Sequence, residues 1–285
     1  MSGGHQLHVV GPLRIVGNDV VVHTNCERFA RAATNVFADL AQSPNAAPVE
    51  RTVVFETMRH SEQQLRWSVH RNGEPCELRL RHDAVLVHQQ WEFNRLAIES
   101  HRCSIHAAAV SVGGRGVLLA GASHSGKTTL AGWLVAHHGA AYVTDEVSAI
   151  DDRLQVLPFP RPLGVRSDSP LAVADSDEEG GFMPNERLVP ISHLGGTRVD
   201  EPVPVGLLVF PRFDPKVSPA ASKLSEAEAL VRLTALTPGL AQHGRLVFQR
   251  LRALAASSPA VELRYDDVAP ASHQVQAECA TILEP

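Results

Sequence analysis

The glycine-rich segment near the middle of the chain constrains the fold more than any other part of the sequence. Its eight residues, Gly121–Thr128, match the pattern G-x-x-x-x-G-K-[ST] without a mismatch. The apolar run Val117–Ala120 precedes the segment, and Leu130, Trp133 and Leu134 follow it at helical spacing. A strand, a tight loop and a helix in this order are typical of an α/β sheet. The sequence therefore predicts an α/β fold organised around a phosphate-binding loop, the P-loop.

The P-loop has the residue types that are needed to hold phosphate groups. Its glycines allow backbone N–H groups to point at phosphate oxygens, and the following helix adds the positive end of its dipole. Lys127 is expected to reach the β- and γ-phosphates, and the Thr128 hydroxyl to coordinate Mg²⁺. We therefore expect the chain to bind ATP together with Mg²⁺. The expected nucleotide-binding residues are Gly121, Ala122, Ser123, His124, Ser125, Gly126, Lys127, Thr128 and Thr129.

An acidic pair follows the next predicted strand. Asp145 and Glu146 come directly after the run Ala141–Thr144, and 18 positions separate Lys127 from Asp145. That distance leaves room for one helix and one turn, so the pair should lie at the end of the strand that follows the P-loop helix. Acids at strand ends in open α/β sheets border the ligand crevice. There they can hold Mg²⁺ or accept a proton from an attacking group.

Other features exclude several classes of protein. The 26 basic and 31 acidic residues give a formal net charge of −5 without a basic stripe, so we expect no nucleic-acid partner. No apolar run approaches the roughly 20 residues of a membrane span, and no signal peptide is visible, so we expect no membrane association. Four scattered cysteines without a CxxC pair favour a reducing, cytoplasmic protein. The absence of an N-K-x-D signature removes the common GTPases.

His106 has two open interpretations. It lies on the predicted strand Ser104–Val112, which a Gly-Gly turn joins to the P-loop strand, so it could contact a catalytic carboxylate or the γ-phosphate. A buried structural histidine is the alternative. His106 also belongs to the spacing His101-x-Cys103-x-x-His106, the nearest approach to a structural metal cluster, but no second ligand pair follows it.

Residues 1–100 are predicted as a separate small α+β domain, and residues 101–285 as the P-loop domain. In the first segment, Thr24-x-x-Glu27 matches a capping box that would begin a helix, and Asn72-Gly73 marks a hairpin. Nothing in this segment carries chemistry, so its default role is to act as a scaffold or to present a substrate. In the second segment the expected elements are a hairpin of Val147–Ile150 with Leu154–Leu157, a long connection over 174–200, strands at Val205–Phe210 and Val261–Tyr265, and helices over 225–236 and 240–256.

The run His-Ala-Ala-Ala-Val at 106–110, the P-loop, and the acids after Gly-Ala-Ala-Tyr-Val together resemble the catalytic domain of HPr kinase/phosphorylase. The resemblance extends to the smaller HPr-kinase-like proteins of biosynthetic clusters, such as lasso peptide kinases, and is specific over about 101–170. It implies a P-loop kinase domain with a mixed sheet of the HPr kinase/phosphoenolpyruvate carboxykinase type. Carried over by position, it implies that Asp145 is the general base, that His106 assists it, and that Lys127 binds phosphate. It also implies that Thr128, Glu146 and Asp145 hold Mg²⁺.

The chain departs from this family in two respects. The family carries two adjacent aspartates where this chain has Asp145-Glu146, which leaves the division between base and metal ligand open. The family's E-I-R-G-L-G loop, which contacts HPr, has no counterpart, so neither HPr as the substrate nor the reverse phosphorylase reaction is expected. Part of 174–200 could replace the loop, through Glu186-Arg187 or residues 195–198. Three arginines that could stabilise transferring phosphoryl charge are Arg161, Arg166 and Arg212.

The sequence therefore favours an ATP–Mg²⁺ kinase whose acceptor is a hydroxyl, either Ser or Thr of a peptide or protein or a small molecule. Assembly into a homo-oligomer is compatible with the family. Two alternatives share every P-loop residue: an ATP-binding switch or assembly factor that signals through 174–200, and a degenerate sensor that binds nucleotide without turnover. Asp145 and His106 separate the kinase from the switch, because a switch needs no base beside the γ-phosphate. The intact set Lys127, Thr128 and Asp145 counts against the sensor.

Overall fold

The computed structural model describes residues 6–41, 51–61, 66–80, 85–100, 103–171, 182–183, 186–238 and 240–283. Over this part of the chain the fold is α/β, with mixed β-sheets and six α-helices. The chain divides into two compact units. Unit 1 comprises Met1–Leu96, Arg161–Asp168 and Ala174–Pro190, and unit 2 comprises Ala97–Pro160, Ser169–Val173 and Ile191–Pro285. The domain boundary that the sequence places after residue 100 stays a prediction.

The elements are numbered in chain order. The strands are β1 (His8–Ile15), β2 (Asn18–Thr24), β3 (Arg51–Ser61), β4 (Arg66–Arg71), β5 (Glu74–Leu80), β6 (Ser104–Ile105), β7 (Ala107–Val112), β8 (Arg115–Ala120), β9 (Ala141–Thr144), β10 (Ser148–Ala149), β11 (Gln155–Val156), β12 (Leu163–Arg166), β13 (Phe182–Met183), β14 (Glu186–Val189), β15 (Val203–Phe213), β16 (Ala220–Leu224) and β17 (Ala260–Tyr265). The helices are α1 (Glu27–Val36), α2 (Val85–Ser100), α3 (Lys127–His138), α4 (Glu226–Ala235), α5 (Leu240–Ser257) and α6 (Val268–Leu283).

Unit 1 contains a sheet in the order β1-β2-β3-β4-β5, in which β2 and β3 are parallel and the other neighbours antiparallel. Rings from three elements meet in its core: the Phe93 centroid lies 5.0 Å from that of Phe37 and 5.5 Å from that of Phe55. A second sheet has the order β12-β14-β13. The predicted Asn72-Gly73 hairpin is confirmed between β4 and β5.

The predicted capping box at Thr24 is wrong. Thr24 is the last residue of β2, and its side-chain oxygen accepts a hydrogen bond from the Cys26 N–H. The helix α1 begins at Glu27 after Cys26, and no side chain caps it there. Thr24 therefore closes the turn between strand and helix and does not hold the first turn of the helix itself.

Unit 2 contains a mixed sheet in the order β16-β17-β15-β8-β7-β9, with β11 paired to β15. Strand β15 is parallel to both β8 and β17, and β7 is antiparallel to both β8 and β9. Consequently β17, β15, β8 and β9 run in the same direction, and their carboxyl ends meet at one edge of the sheet. Ligands of open α/β sheets bind at such edges.

Helix α3 packs on this sheet through Leu130, Ala131 and Leu134, which are all fully buried. Leu118 of β8 and Leu208 of β15 contribute to a buried apolar core. Strand β9 has the predicted bounds Ala141–Thr144. The α/β class with a mixed sheet is thus confirmed, whereas the HPr kinase/phosphoenolpyruvate carboxykinase type stays a prediction.

The expected hairpin of Val147–Ile150 with Leu154–Leu157 forms in part. Ile150 makes an antiparallel bridge to Val156, which is flanked by hydrogen bonds from the Leu157 N–H to the Ala149 carbonyl at 2.9 Å and from the Asp151 N–H to the Gln155 carbonyl at 3.0 Å. In addition, β10 pairs with β6 and β11 pairs with β15. One prediction for unit 2 is wrong in detail. The expected strand Ser104–Val112 is interrupted at His106, which separates β6 from β7.

The predicted connection over 174–200 contains ordered elements where the structure describes it. These elements are β13, β14 and a 3₁₀ turn at Ile191–Leu194, while residues 174–181 lie outside the described part. Among the described helices, none has the length and apolar character that crossing a membrane requires.

Candidate active site

The P-loop connects β8 to α3 in a tight turn that only particular residues permit. The N–H of Ser125 donates to the carbonyl of Ala122 at 3.2 Å, which closes the loop. A Cβ on Gly121 would lie 2.5 Å from the Ser125 hydroxyl oxygen, so this position has no room for a side chain. Gly126 immediately precedes α3 with φ +92°, in the left-handed region that favours glycine. The two motif glycines are therefore required by close approach and by backbone conformation.

Two aromatic residues hold the P-loop from one side. Tyr265, the last residue of β17, donates its hydroxyl to the Gly126 carbonyl at 3.2 Å. The N–H of Phe213, the last residue of β15, donates to the Ser125 carbonyl at 3.2 Å. Their ring centroids lie 5.7 Å apart at an edge-on angle of 70°. We call Phe213 and Tyr265 the aromatic flank; its contacts fix the backbone of the loop.

Sequence reasoning missed both residues of this flank. Their signal was present, because Tyr265 ends the predicted strand Val261–Tyr265, and Phe213 follows the predicted strand Val205–Phe210 by three positions. Recognising them required the sheet order, which places both strand ends beside the P-loop.

Lys127 is buried, with 4% of its surface exposed, and its Nζ donates to the Ala122 carbonyl at 3.0 Å. Burial lowers the pKa of its ammonium group, and the nearby charges of Glu146 and Asp145 oppose that change. The side chain thus folds back over the loop that it follows. The ammonium donates to one neutral acceptor and has two carboxylates nearby, and a phosphate would be an anionic acceptor for a charge-assisted hydrogen bond.

Asp145 is joined directly to the P-loop helix. Its Oδ2 accepts a hydrogen bond of 2.8 Å from the Thr128 hydroxyl, and its side chain is buried. The contact links the end of β9 to the first turn of α3. The structure therefore brings together the threonine and the strand-end acid that the sequence singled out, at the same sheet edge as Lys127.

Glu146 pairs with His106. The Oε2 of Glu146 lies 2.6 Å from Nε2 of His106, and their side chains are 40% and 27% exposed. His106 is fixed at the break between β6 and β7, where its N–H donates to the Leu236 carbonyl at 2.7 Å and its carbonyl accepts from Gly121 at 3.4 Å. We call His106, Asp145 and Glu146 the acidic flank. The sequence-implied partner of His106 is Asp145, whereas in the structure Nε2 of His106 lies 2.6 Å from Glu146.

A tight turn sets the direction of the two acids. The Thr144 hydroxyl donates to the Val147 carbonyl at 2.9 Å, and the Val147 N–H donates to the Asp145 carbonyl at 2.7 Å. Between them Glu146 adopts φ +64°, which is uncommon for a residue with a Cβ. The turn therefore directs the adjacent carboxylates to different partners, Asp145 to Thr128 and Glu146 to His106.

The donor set of this site suits Mg²⁺. The Thr128 hydroxyl and the carboxylates of Asp145 and Glu146 are hard oxygen donors, and Mg²⁺ is usually held by one or two carboxylates together with substrate phosphates. Within the described residues no group of three or more His, Cys, Asp or Glu side chains could form a protein-only metal cage. The residues thus fit a Mg²⁺ ion that is shared with a nucleotide. His101 of the proposed cysteine–histidine cluster lies outside the described part.

The three predicted arginines are distributed over both units. Arg161 is buried and Arg166 pairs with Asp168 at 3.0 Å, and both arginines belong to unit 1. Arg212 is exposed at the end of β15, beside Phe213. Only Arg212 can therefore be placed at the same sheet edge as the P-loop.

The remaining predicted residues are also divided. Ser123, His124 and Thr129 belong to the P-loop or to the first turn of α3, and His124 has φ +66°. Glu186 and Arg187 lie in β14 of unit 1. In unit 2, residues 197–199 run along the edge of β9 that does not pair with β7, and the Tyr142 N–H donates to the Thr197 carbonyl at 2.8 Å. This segment extends the sheet, and Arg198 pairs with Asp200 at 3.3 Å.

Comparison with known proteins gives little further information. No family model matches the chain, and no curated protein matches it. Among solved structures, the chain is similar to the HPr(Ser) kinase/phosphatase from Coxiella burnetii, with 12% sequence identity and a TM-score of 0.30, over 62% of this chain and 91% of that chain. A TM-score this low carries no argument about fold or function. Membership of the HPr kinase family therefore stays a prediction from the sequence motifs.

Proposed function

We propose that unit 2 is an ATP–Mg²⁺-dependent kinase that transfers the γ-phosphoryl group to a hydroxyl of a peptide, a protein or a small molecule. One observation carries this proposal. At a single sheet edge, the P-loop threonine Thr128 donates to the strand-end acid Asp145 at 2.8 Å, with Glu146 and the buried Lys127 beside them. Phosphate-binding groups and proton-accepting groups are thus adjacent, as transfer to a hydroxyl requires.

The residues have distinct roles in this reaction. Lys127 leaves the Ala122 carbonyl and binds the β- and γ-phosphates, offsetting the charge that develops there. Thr128 and Glu146 would hold Mg²⁺, which would supply further charge neutralisation when it is bound with ATP. Asp145 accepts the proton of the acceptor hydroxyl as its oxygen bonds to the γ-phosphorus. The bond from that phosphorus to the β,γ-bridging oxygen breaks, and ADP leaves.

Two contacts favour a second assignment of the acids within the same reaction. Asp145 is buried against Thr128, which is a suitable position for holding Mg²⁺, whereas Glu146 is 40% exposed, with its Oε2 2.6 Å from Nε2 of His106. An acceptor hydroxyl arrives from solvent, so Glu146 is the more accessible base, and His106 would orient it. The reaction is unchanged and only the two carboxylates exchange roles.

Intact-protein mass spectrometry tests the proposal. The protein is incubated with ATP, Mg²⁺ and the peptides or proteins encoded beside its gene, and a phosphate-sized mass gain on one of them is expected. Asp145→Asn should reduce this transfer by about 10²- to 10⁴-fold, the usual contribution of a general base. Glu226→Gln, at an exposed position of α4, is the matched control and should transfer at the normal rate.

The Mg²⁺ dependence of ATP binding assigns the two acids. If Asp145 is the base, Asp145→Asn binds ATP–Mg²⁺ normally and Glu146→Gln weakens Mg²⁺-dependent binding. The reverse pattern would give the base role to Glu146. A protein that binds ATP, phosphorylates no acceptor and hydrolyses ATP slowly at a rate unaffected by either substitution would be a nucleotide-dependent switch, and the kinase proposal would be abandoned.

A further inference from the structure

We propose that the exposed ring of Phe213 is the platform on which the nucleobase of the bound nucleotide stacks, an inference that rests on the proposed nucleotide-binding function. The ligand class is a nucleoside triphosphate, recognised at its base by an aromatic face. Phe213 is 48% exposed although it lies beside the P-loop in the sheet.

The sheet order gives the nucleotide a direction. Strand β8, which leads into the P-loop, has β7 and β9 on one side and β15 and β17 on the other. The acidic flank is on the first side, so the γ-phosphate, where proton transfer occurs, must point there. The nucleoside end of the same molecule then extends toward the other side. The carboxyl ends of β15 and β17 on that side carry Phe213 and Tyr265.

Two contacts and one close approach place Phe213 beside the P-loop. Its backbone N–H donates to the Ser125 carbonyl at 3.2 Å. Its ring meets the Tyr265 ring edge-on, with centroids 5.7 Å apart, and Tyr265 is itself buried and bonded to the Gly126 carbonyl. A Cβ placed on Gly126 would lie 3.6 Å from the Phe213 Cβ, so the side chain begins at the loop surface. An aromatic ring fixed in this way needs little ordering to receive a base.

Stacking also predicts the selectivity of the site. Every nucleobase has a π-face, so an aromatic platform accepts different bases with similar affinity, whereas discrimination requires hydrogen bonds to base edges. We therefore expect ATP and GTP to bind with dissociation constants within about tenfold of each other. A preference much larger than this would require polar contacts to the base that Phe213 does not make.

Calorimetric titration with ATP, GTP and inorganic tripolyphosphate tests the platform. Tripolyphosphate has the phosphates of the nucleotide but no base. Loss of one stacked base weakens binding by about 1–3 kcal/mol, which corresponds to roughly 5- to 150-fold. We expect Phe213→Ala to weaken ATP and GTP binding by this factor and to leave tripolyphosphate binding unchanged. Phe213→Trp, which keeps an aromatic face, should retain ATP affinity.

Two further variants separate stacking from packing. Phe213→Leu keeps apolar bulk without a π-face and should weaken ATP binding as Phe213→Ala does. Phe248→Ala removes a similarly exposed ring from α5 and should bind all three ligands normally. Equal weakening of ATP and tripolyphosphate in Phe213→Ala would show that the ring only supports the loop, and unchanged ATP binding would show that it does nothing for the nucleotide; either result overturns the platform. If the unsubstituted protein bound neither ATP nor tripolyphosphate, the proposed kinase function would be wrong, and the platform, which depends on it, would be wrong as well.

Discussion

The two flanks of the P-loop are built on different principles. The aromatic flank, Phe213 and Tyr265, contacts backbone carbonyls of the loop, at Ser125 and Gly126. The acidic flank works through side chains: Asp145 accepts from Thr128, and Glu146 meets His106. Backbone contacts determine the shape of the loop whatever is bound. Side-chain contacts can be exchanged for contacts to phosphate, metal or substrate.

This difference indicates that the two flanks have separate functions. Substitution of Tyr265 should change loop geometry and stability, and substitution of Phe213 should change nucleotide affinity; both should alter transfer only through those properties. Substitutions in the acidic flank should change Mg²⁺ dependence and transfer at modest expense to the fold. Each of the following predictions would strengthen this division or remove it.

The largest effect on stability is expected for Gly126→Ala. Its φ of +92° strains any residue with a Cβ, and that Cβ would collide with the Tyr265 hydroxyl oxygen. Left-handed strain of about 1–2 kcal/mol and overpacking of about 1–3 kcal/mol together predict a loss of about 2–5 kcal/mol in the free energy of unfolding. Chemical denaturation measures the loss. Gly139→Ala, at φ +67° with open space around it, is the control and should lose only the strain contribution. Equal losses at the two positions would mean that Tyr265 does not restrain the loop.

A smaller effect is expected for Thr128→Val, at the P-loop residue that contacts the acidic flank. The substitution removes the hydroxyl that donates to the buried Asp145 carboxylate, and an unsatisfied buried acceptor costs about 1–3 kcal/mol. Mg²⁺-dependent ATP binding should be lost together with this stability. Thr128→Ser keeps the hydroxyl and should restore both properties. A valine variant that still bound ATP in a Mg²⁺-dependent manner would separate Thr128 from the metal site.

The pH dependence of stability should reveal the buried charge of Lys127. Its pKa is lower in the folded state than the ordinary value of 10.5, so the folded chain binds fewer protons and the free energy of unfolding rises with pH between the two pKa values. Lys127→Met should remove this rise, which for one group is at most about 1.4 kcal/mol for each pH unit. Burial raises the pKa of Cys103 to about 11, an opposing effect that is the same in both proteins and cancels in the comparison. Lys223→Met, at an exposed position of β16, should follow the unsubstituted curve.

The smallest effect is expected for Tyr265→Phe. The change deletes the hydrogen bond from the Tyr265 hydroxyl to the Gly126 carbonyl but leaves the ring against Phe213, so about 0.5–1.5 kcal/mol of stability should be lost. Thermal unfolding and ATP titration measure the effect, and affinity should fall less than tenfold. A large loss of transfer with normal ATP binding would contradict the division between the flanks, because it would give the aromatic side a part in the chemistry.

The elements that the sequence predicted best are those whose signal is local. The P-loop spacing and the strand Ala141–Thr144 depend on residues within a few turns of one another, and the acids come directly after that strand. The α/β class followed from the same run. For these residues the sequence predicted both the element and the group of residues that the structure places together.

The features that were missed depend on pairing between distant segments. Phe213 and Tyr265 lie next to the P-loop only because β15 and β17 are on one side of β8, and periodicity does not specify this strand order. The hairpin predicted around Asp151-Asp152 is present as an antiparallel bridge between Ile150 and Val156, but the further pairing of β10 with β6 and of β11 with β15 was not predicted. The pairing of His106 with Glu146 depends on the left-handed backbone conformation after β9, which an Asp-Glu sequence does not predict.

The backbone conformation of Glu146 also bears on protein engineering. A residue with a Cβ at φ +64° is about 1–2 kcal/mol less stable there than in its ordinary conformations, and glycine or asparagine would occupy the position with less strain. A screen for thermostability would therefore select replacements of Glu146 that relieve the backbone strain in this turn. Such variants would have a higher melting temperature but would lose the carboxylate beside His106. Any stabilised form of this protein should be built with residues 144–147 left as they are.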